Sequence, residues 1–237
     1  MKQTIDPRQP YIPLRWRIAA ILFASTVINY IDRQTLSLLA PYLKHDYKWT
    51  NTDYVEIVIA FRVAYCIGQS ACGRFIDCVG TRRGLTITVA CYSAISILTS
   101  LATSFRGFMT FRFLLGLGES ANWPAATKSV AEWFPRQERA LAAAFFDSGS
   151  SIGAAIAPFI VLGIYYRWGW RLAFAIPGLL GVVWLVICRR MYYRPQDHPR
   201  IRAGERRVIR DQAADAYGAK APQLSWAAVL KIPQTWA

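Results

Sequence analysis

Two stretches of this chain, residues 84–103 and 172–188, contain no charged side chain. A bilayer core of about 30 Å is crossed by roughly 20 predominantly apolar residues in a helix, so these two runs are read as membrane spans. Around them lie four longer apolar runs with isolated charges: 18–43 (Asp32, Arg33), 54–76 (Glu56, Arg62, Arg74), 107–131 (Arg112, Glu119, Lys128) and 140–166 (Asp147). The pattern predicts an all-α membrane protein of six transmembrane helices. Residues 1–17 are expected to be a cytoplasmic N-terminus, 18–188 the six-helix membrane unit and 189–237 a cytoplasmic tail. Composition agrees, because 54% of the 237 residues are hydrophobic and 18% are charged, below the roughly 25% charge of soluble domains and unlike a disordered chain or a coiled coil. The first run is too long for the apolar core of a signal peptide and is followed by no small-residue cleavage site, so it is expected to stay as a span.

The net charge of +14 reads as topology. With a cytoplasmic N-terminus, the inner segments hold 19 Lys and Arg and the outer segments 5, the asymmetry of the positive-inside rule. The expectation is a multi-pass protein of a cell inner membrane with both termini cytoplasmic. Its basic tail then lies near anionic lipid and is no nucleic-acid arm. The five cysteines (Cys66, Cys72, Cys78, Cys91, Cys188) are odd in number, lack metal-ligand spacing and read as small buried hydrophobes. His45 and His198 fall in predicted loops. No nucleophile and base assemble, and no cofactor or metal is expected, so the chain does not read as an enzyme.

Charges inside the spans are costly, at least about 2.5–3.5 kcal/mol each on insertion scales, and mark function by default. At about 1.5 Å per residue, Asp32 and Arg33 are expected roughly 9 Å below the outer surface, level with Arg112 at about 10 Å; Glu119 lies two turns further on, about 10 Å nearer the cytoplasm. The fourth span thus presents Arg112, Glu119 and Asn122, with Gly116 opening space between the charges. The first presents Asn29, Asp32 and Arg33; the second presents Arg62, Tyr65 and Gln69. A purely structural role is the alternative, with Asp32 bridging to Arg112 and the charges merely holding the bundle together. Two arginines, two acids and a Tyr/Gln stripe at matching depth favour a shared aqueous transport site. Guanidinium groups bind a carboxylate substrate bidentately, and carboxylates in a low-dielectric cavity can exchange protons. Gly149, Gly153 and Ala157 recur every fourth residue, the small-residue pattern of close helix packing. Gly116-Leu-Gly118-Glu-Ser-Ala121 formally fits a dinucleotide fingerprint but follows no strand and lies in a membrane span, so it is rejected.

The segment from Gly73 through Asp77 and Gly80 to Arg82 and Arg83, between the second and third spans, resembles the signature loop of the major facilitator superfamily. Asn29-Tyr-Ile-Asp-Arg33, the Arg112 to Glu119 segment and Gly169-Trp-Arg171 resemble its anion:cation symporter branch, and hexuronate and galactonate transporters are the nearest match. The likeness covers about residues 15–195. It implies Asp32 and Glu119 as proton-coupling acids, Arg33 and Arg112 as carboxylate-binding cations, Tyr65 as a sugar-hydroxyl contact with Gln69 beside it, and Gly73, Asp77, Gly80, Arg82 and Arg83 as a gating loop. Three positions depart from the pattern. Cys78 replaces a basic residue, Asp147 replaces a frequent Asn, and Arg62 stands where an apolar residue is usual. The family has twelve helices in two halves, each of two inverted three-helix repeats. The resemblance therefore implies an N-terminal half, its tail being the central loop and the start of a seventh helix. Its partners would be a small organic anion, protons, the lipid bilayer, and a C-terminal half or a self-associated copy. The alternatives are an inactive or interacting orphan half, or a transporter of other organic anions.

Overall fold

The computed structural model describes residues 13–199, 201, 204–207 and 209. The expectations for residues 1–12 and 210–237, including the start of a seventh span, lie outside the described residues. The described chain is helical throughout, without a strand: α1 (Leu14–Tyr47), α2 (Asn51–Val79), α3 (Thr81–Thr99), α4 (Phe105–Glu119), α5 (Asn122–Trp133), α6 (Arg136–Trp168) and α7 (Trp170–Met191). By length and composition α1, α2, α6 and α7 are each able to cross a membrane. In α3, with 19 residues, Arg82 and Arg83 occupy the first turn and dilute an otherwise apolar helix.

The sequence predicts six helices over 18–188, whereas the described residues 14–191 form seven, because the fourth run breaks between Glu119 and Asn122. Pro124 is the cause. It has no N–H for the Ser120 carbonyl, and its ring crowds that carbonyl. Ser120 (φ −58°, ψ −27°) and Ala121 (φ −81°, ψ −13°) keep helical angles, so α4 and α5 are two parts of one interrupted helical run. At the other boundaries, Lys48 closes α1 in the left-handed conformation. Thr50 and Asp53 exchange side-chain and backbone hydrogen bonds as a capping box at the start of α2. Gly80, at φ +83°, makes the turn from α2 into α3 that a Cβ would strain.

The most extensive helix pairings are α1 with α6, α2 with α4, and α3 with α7. If α4 and α5 count as one run, exchanging the first three runs with the last three turns the first pairing into the second and leaves the third unchanged. Two inverted three-helix repeats produce this pattern. Close approach is made by glycine: a Cβ on Gly149 would stand 2.8 Å from the Phe23 carbonyl oxygen, and one on Gly153 2.7 Å from that of Val27. The packing role expected of this stripe is therefore met. Two apolar clusters fill the bundle, one around Trp133, Tyr92 and Phe146 and the other around Phe108, Leu43 and Phe174. Asn29, Asp32 and Arg112 are buried polar side chains that belong to neither cluster.

Two readings change. Cys66, Cys78 and Cys91 are exposed and only Cys188 is fully buried, since a surface facing lipid suits a small apolar side chain as well as a core does. The described part of the tail is packed on the bundle. Tyr192 is buried and donates to Ser129 Oγ at 2.7 Å, its phenol pushed above the usual range by burial. The edge of the His198 ring meets Trp133 and Tyr193. Glu205 accepts the Leu14 and Arg15 backbone N–H groups at 3.2 and 3.1 Å, capping α1 from 190 residues away.

If Gly153 is the contact between α1 and α6, Gly153→Ile should lower stability by about 1–3 kcal/mol through overpacking. Thermal unfolding of the purified chain in detergent should show a lower midpoint, while Gly163→Ala, where a Cβ meets nothing within 4 Å, should leave it unchanged or slightly raised.

Candidate functional site

Asp32 and Arg33 are adjacent on α1 and therefore point about 100° apart around the helix. That angle sends them to different neighbours. Arg33 turns toward α4 and binds Glu119 Oε2 through Nε (3.1 Å) and Nη2 (2.9 Å). Three rings surround its guanidinium, Tyr65 at 4.7 Å, Tyr30 at 5.1 Å and Phe61 at 5.4 Å, so the cation is held by π-faces as well as by the carboxylate. Asp32 turns toward α3 and α7. Its Oδ1 accepts from Ser96 Oγ at 2.7 Å, and the same hydroxyl lies 3.0 Å from the Phe174 carbonyl.

Arg112 is 2% exposed, with its guanidinium 5.3 Å from the Phe174 ring. Its Nε and Nη2 have no hydrogen-bond partner among the described residues, nor have Asp32 Oδ2 and Glu119 Oε1. The Asp32–Arg112 bridge of the purely structural alternative is absent; among the described residues the pair formed inside the bundle is Arg33–Glu119. The depth estimate ended the first span near residue 43, but α1 continues past Pro41 to Tyr47. Arg33 is fourteen residues before that end, and Glu119 fourteen residues after the start of α4 at Phe105. The two ends are neighbours, since Tyr47 packs on Phe108 at 5.6 Å.

A cleft of about 260 Å³ opens beside the pair, lined by Arg33, Leu36, Ser37, Val58, Phe61, Arg62, Tyr65 and Arg112. Of the expected site residues, Arg33, Tyr65 and Arg112 line it, and so does Arg62. Asp32 and Glu119 stand behind it. Gln69 is exposed on α2 and lies outside it, and Asp147 is half-buried on α6, also outside. Gly116 opens no space: a Cβ there would collide with the Phe61 carbonyl of α2, so its use is to bring α2 against α4. Sequence reasoning missed Ser96, whose only signal was a serine in an otherwise charge-free span, and the rings of Tyr30 and Phe61.

The expected gating loop is engaged within the bundle. Asp77 pairs with Lys128 of α5 at 2.6 Å, and Thr81 donates to Glu132 at 2.7 Å. Arg82 donates to the Arg189 carbonyl at 3.0 Å and lies over the Tyr193 ring at 3.9 Å. Arg194 sits against Gly80, while Gly73 has open space around it and Arg83 is exposed.

Chemically, the cleft offers three guanidinium groups and a phenol, with two buried carboxylates behind them. Such a wall attracts an anion and has acids near enough to balance its charge.

The family profile of the Major Facilitator Superfamily matches residues 22–237. Over 224 residues the chain is 33% identical to the hexuronate transporter of Escherichia coli strain K12, covering 94% of this chain and 52% of that protein. It is 31% identical to the galacturonate transporter of Dickeya chrysanthemi, covering 94% and 65%. The chain thus spans about half to two thirds of the length of these relatives. The inward-open structure of the E. coli xylose transporter superposes with a TM-score of 0.70 at 13% identity, covering 91% of this chain and 58% of that one. The helices, their pairing and the match across most of the sequence establish that this chain belongs to the Major Facilitator Superfamily of membrane transporters.

Proposed function

We propose that this chain is the N-terminal half of a proton-coupled symporter for sugar acids such as hexuronates or galactonate. It works by alternating access in a cell inner membrane, with the N-terminus and the tail cytoplasmic. The observation that carries the reading is Arg112. Its unpartnered Nε and Nη2 form one edge of the guanidinium, the edge that takes a carboxylate in two parallel hydrogen bonds, and that residue lines the cleft. Tyr65 stands on the same wall for a sugar hydroxyl, and Arg62 adds a third cation.

Proton coupling follows from charge balance. In the arrangement described, Arg33 neutralises Glu119. A substrate carboxylate that draws Arg33 toward the cleft leaves Glu119 buried without its counter-ion, a costly state that a proton relieves. Anion and proton then occupy the site together, and the loaded half carries no added charge. Asp32, with one oxygen held by Ser96 and the other unpartnered, is the second acid on this route. The opposite wall of the cleft belongs to a C-terminal half or to a second copy. The exposure of α2 supports this, since 17% of its apolar stretch is covered in the chain alone.

The test is uptake of labelled glucuronate and galacturonate in cells that express the chain together with the C-terminal half of a hexuronate transporter, with benzoate as the competing anion. Arg112→Ala should reduce uptake at low substrate at least about 100-fold, in keeping with about 3–5 kcal/mol for removing one partner of a buried charge pair, while the protein still inserts. Near-normal uptake by that variant overturns the site, and competition by benzoate in preference to sugar acids moves the substrate to aromatic anions.

Glu119→Gln should keep substrate exchange across the membrane and lose proton-driven accumulation, because the amide stands in for a protonated acid. Full accumulation against a gradient in that variant would move the coupling to Asp32. The chain expressed alone should insert and accumulate nothing; proton-dependent uptake by it in liposomes would show that one half suffices.

A further inference from the structure

A second cleft, of about 330 Å³, opens at the end of the bundle where α3 begins and α7 ends. It is lined by Arg82, Arg83, Thr86 and Ile87 of α3 and by Arg189 of α7. Three guanidinium groups converge there, and no carboxylate is in the lining. Arg82 is fixed without being neutralised, because its partners are the Arg189 carbonyl and the face of Tyr193. Arg83 and Arg189 meet no carboxylate among the described residues.

Below the cleft the outer surface is apolar. The two helices run antiparallel, since Arg82 bonds Arg189 at one end and Gly181 packs on Ser93 further along. Residues 87–91 of α3 are therefore level with about 183–187 of α7. Ile87, Val183, Val186 and Ile187 are all exposed there, at 43%, 56%, 49% and 44%. A basic pocket thus caps an apolar strip shared by α3 and the membrane-type helix α7, a combination that fits one class of molecule: an acidic headgroup with acyl chains attached.

We propose that this cleft binds the phosphodiester headgroup of an anionic phospholipid of the phosphatidylglycerol type, with its acyl chains along Ile87, Val183, Val186 and Ile187. Guanidinium groups bind phosphate oxygens bidentately, and basic pockets between membrane helices select acidic headgroups. The apolar strip distinguishes a lipid from free phosphate. The site shares Arg82 and Arg83 with the turn between α2 and α3, so the lipid would bear directly on the connection that joins those two helices.

The test is native mass spectrometry of the purified chain in detergent with equimolar phosphatidylglycerol and phosphatidylcholine. The unmodified chain should retain the anionic lipid at least about fivefold over the neutral one. The double variant Arg83→Gln, Arg189→Gln should fall below about twofold at an unchanged thermal midpoint. The control Arg106→Gln, Arg167→Gln removes the same charge from exposed residues elsewhere and should keep the preference, as should Arg83→Lys with Arg189→Lys in large part. An unchanged preference in the glutamine variant, an equal loss in the control, or displacement of the lipid by an equal concentration of glycerol phosphate would each overturn the proposal.

Discussion

Glu119 has no exposed surface, and Arg33 is the cation that neutralises it; the surrounding bundle is built to keep that pair out of lipid. A lone ionised carboxylate inside a membrane bundle is costly, and even a paired one needs its geometry enforced. The enforcement comes from backbone contacts elsewhere. Gly116 lets α4 settle against Phe61 of α2, which brings Phe61 and Tyr65 over the Arg33 guanidinium. Gly149 and Gly153 seat α6 against α1, and with α1 held in that rotation Asp32 is directed to Ser96 on α3. Two small-residue contacts thus decide where two neighbouring charges on α1 point.

With Arg33 committed to Glu119, Arg112 is left with an open bidentate edge. This division of labour separates the two cations that the sequence treats alike. Arg33 is bound to an acid and ringed by aromatics, and it has to be drawn away before it can hold anything else. Arg112 is preorganised against Phe174 and ready. On the proposed function, a ligand carboxylate would meet a cation that is available beside one whose release exposes an acid, the asymmetry that coupling would require.

Much of this was legible in the sequence. Apolar runs located the helices, isolated charges within them fell at the cleft, and the recurring glycines located the α1–α6 contact. The mistaken charge pairing has one cause: a sequence read in one dimension gives distance along a helix but not rotation about it. Depth alone paired Asp32 with Arg112, whereas rotation pairs Arg33 with Glu119 and turns Asp32 to a serine. Gln69 is a different miss: it shares a face with Arg62 and Tyr65 but lies past the end of the opening. The break before α5 carried a clear signal, Pro124, which was submerged in the apolar run around it. The packing of Tyr192, His198 and Glu205 on the bundle had no local signal, because their partners are far away in sequence.

The repeat symmetry explains why the charges and the cleft coincide. Exchanging the two three-helix repeats maps α1 onto α4, so the helices that carry the two buried acids and Arg33 and Arg112 are equivalent members of the two repeats. Each has its own close partner, α6 for α1 and α2 for α4, and neither is among the principal partners of the other. Between them the backbones stand apart, and the gap is spanned by a long side chain, Arg33, reaching Glu119 at 2.9 Å. A gap between two well-packed pairs, bridged by a side chain that can swing and lined by cations, is a place where a small anion can enter without disturbing either pair. The glycine contacts that hold each pair together are therefore also what leaves the space between them open, and on the proposed function the Arg33–Glu119 bridge is the part of the site that would move when that space is filled.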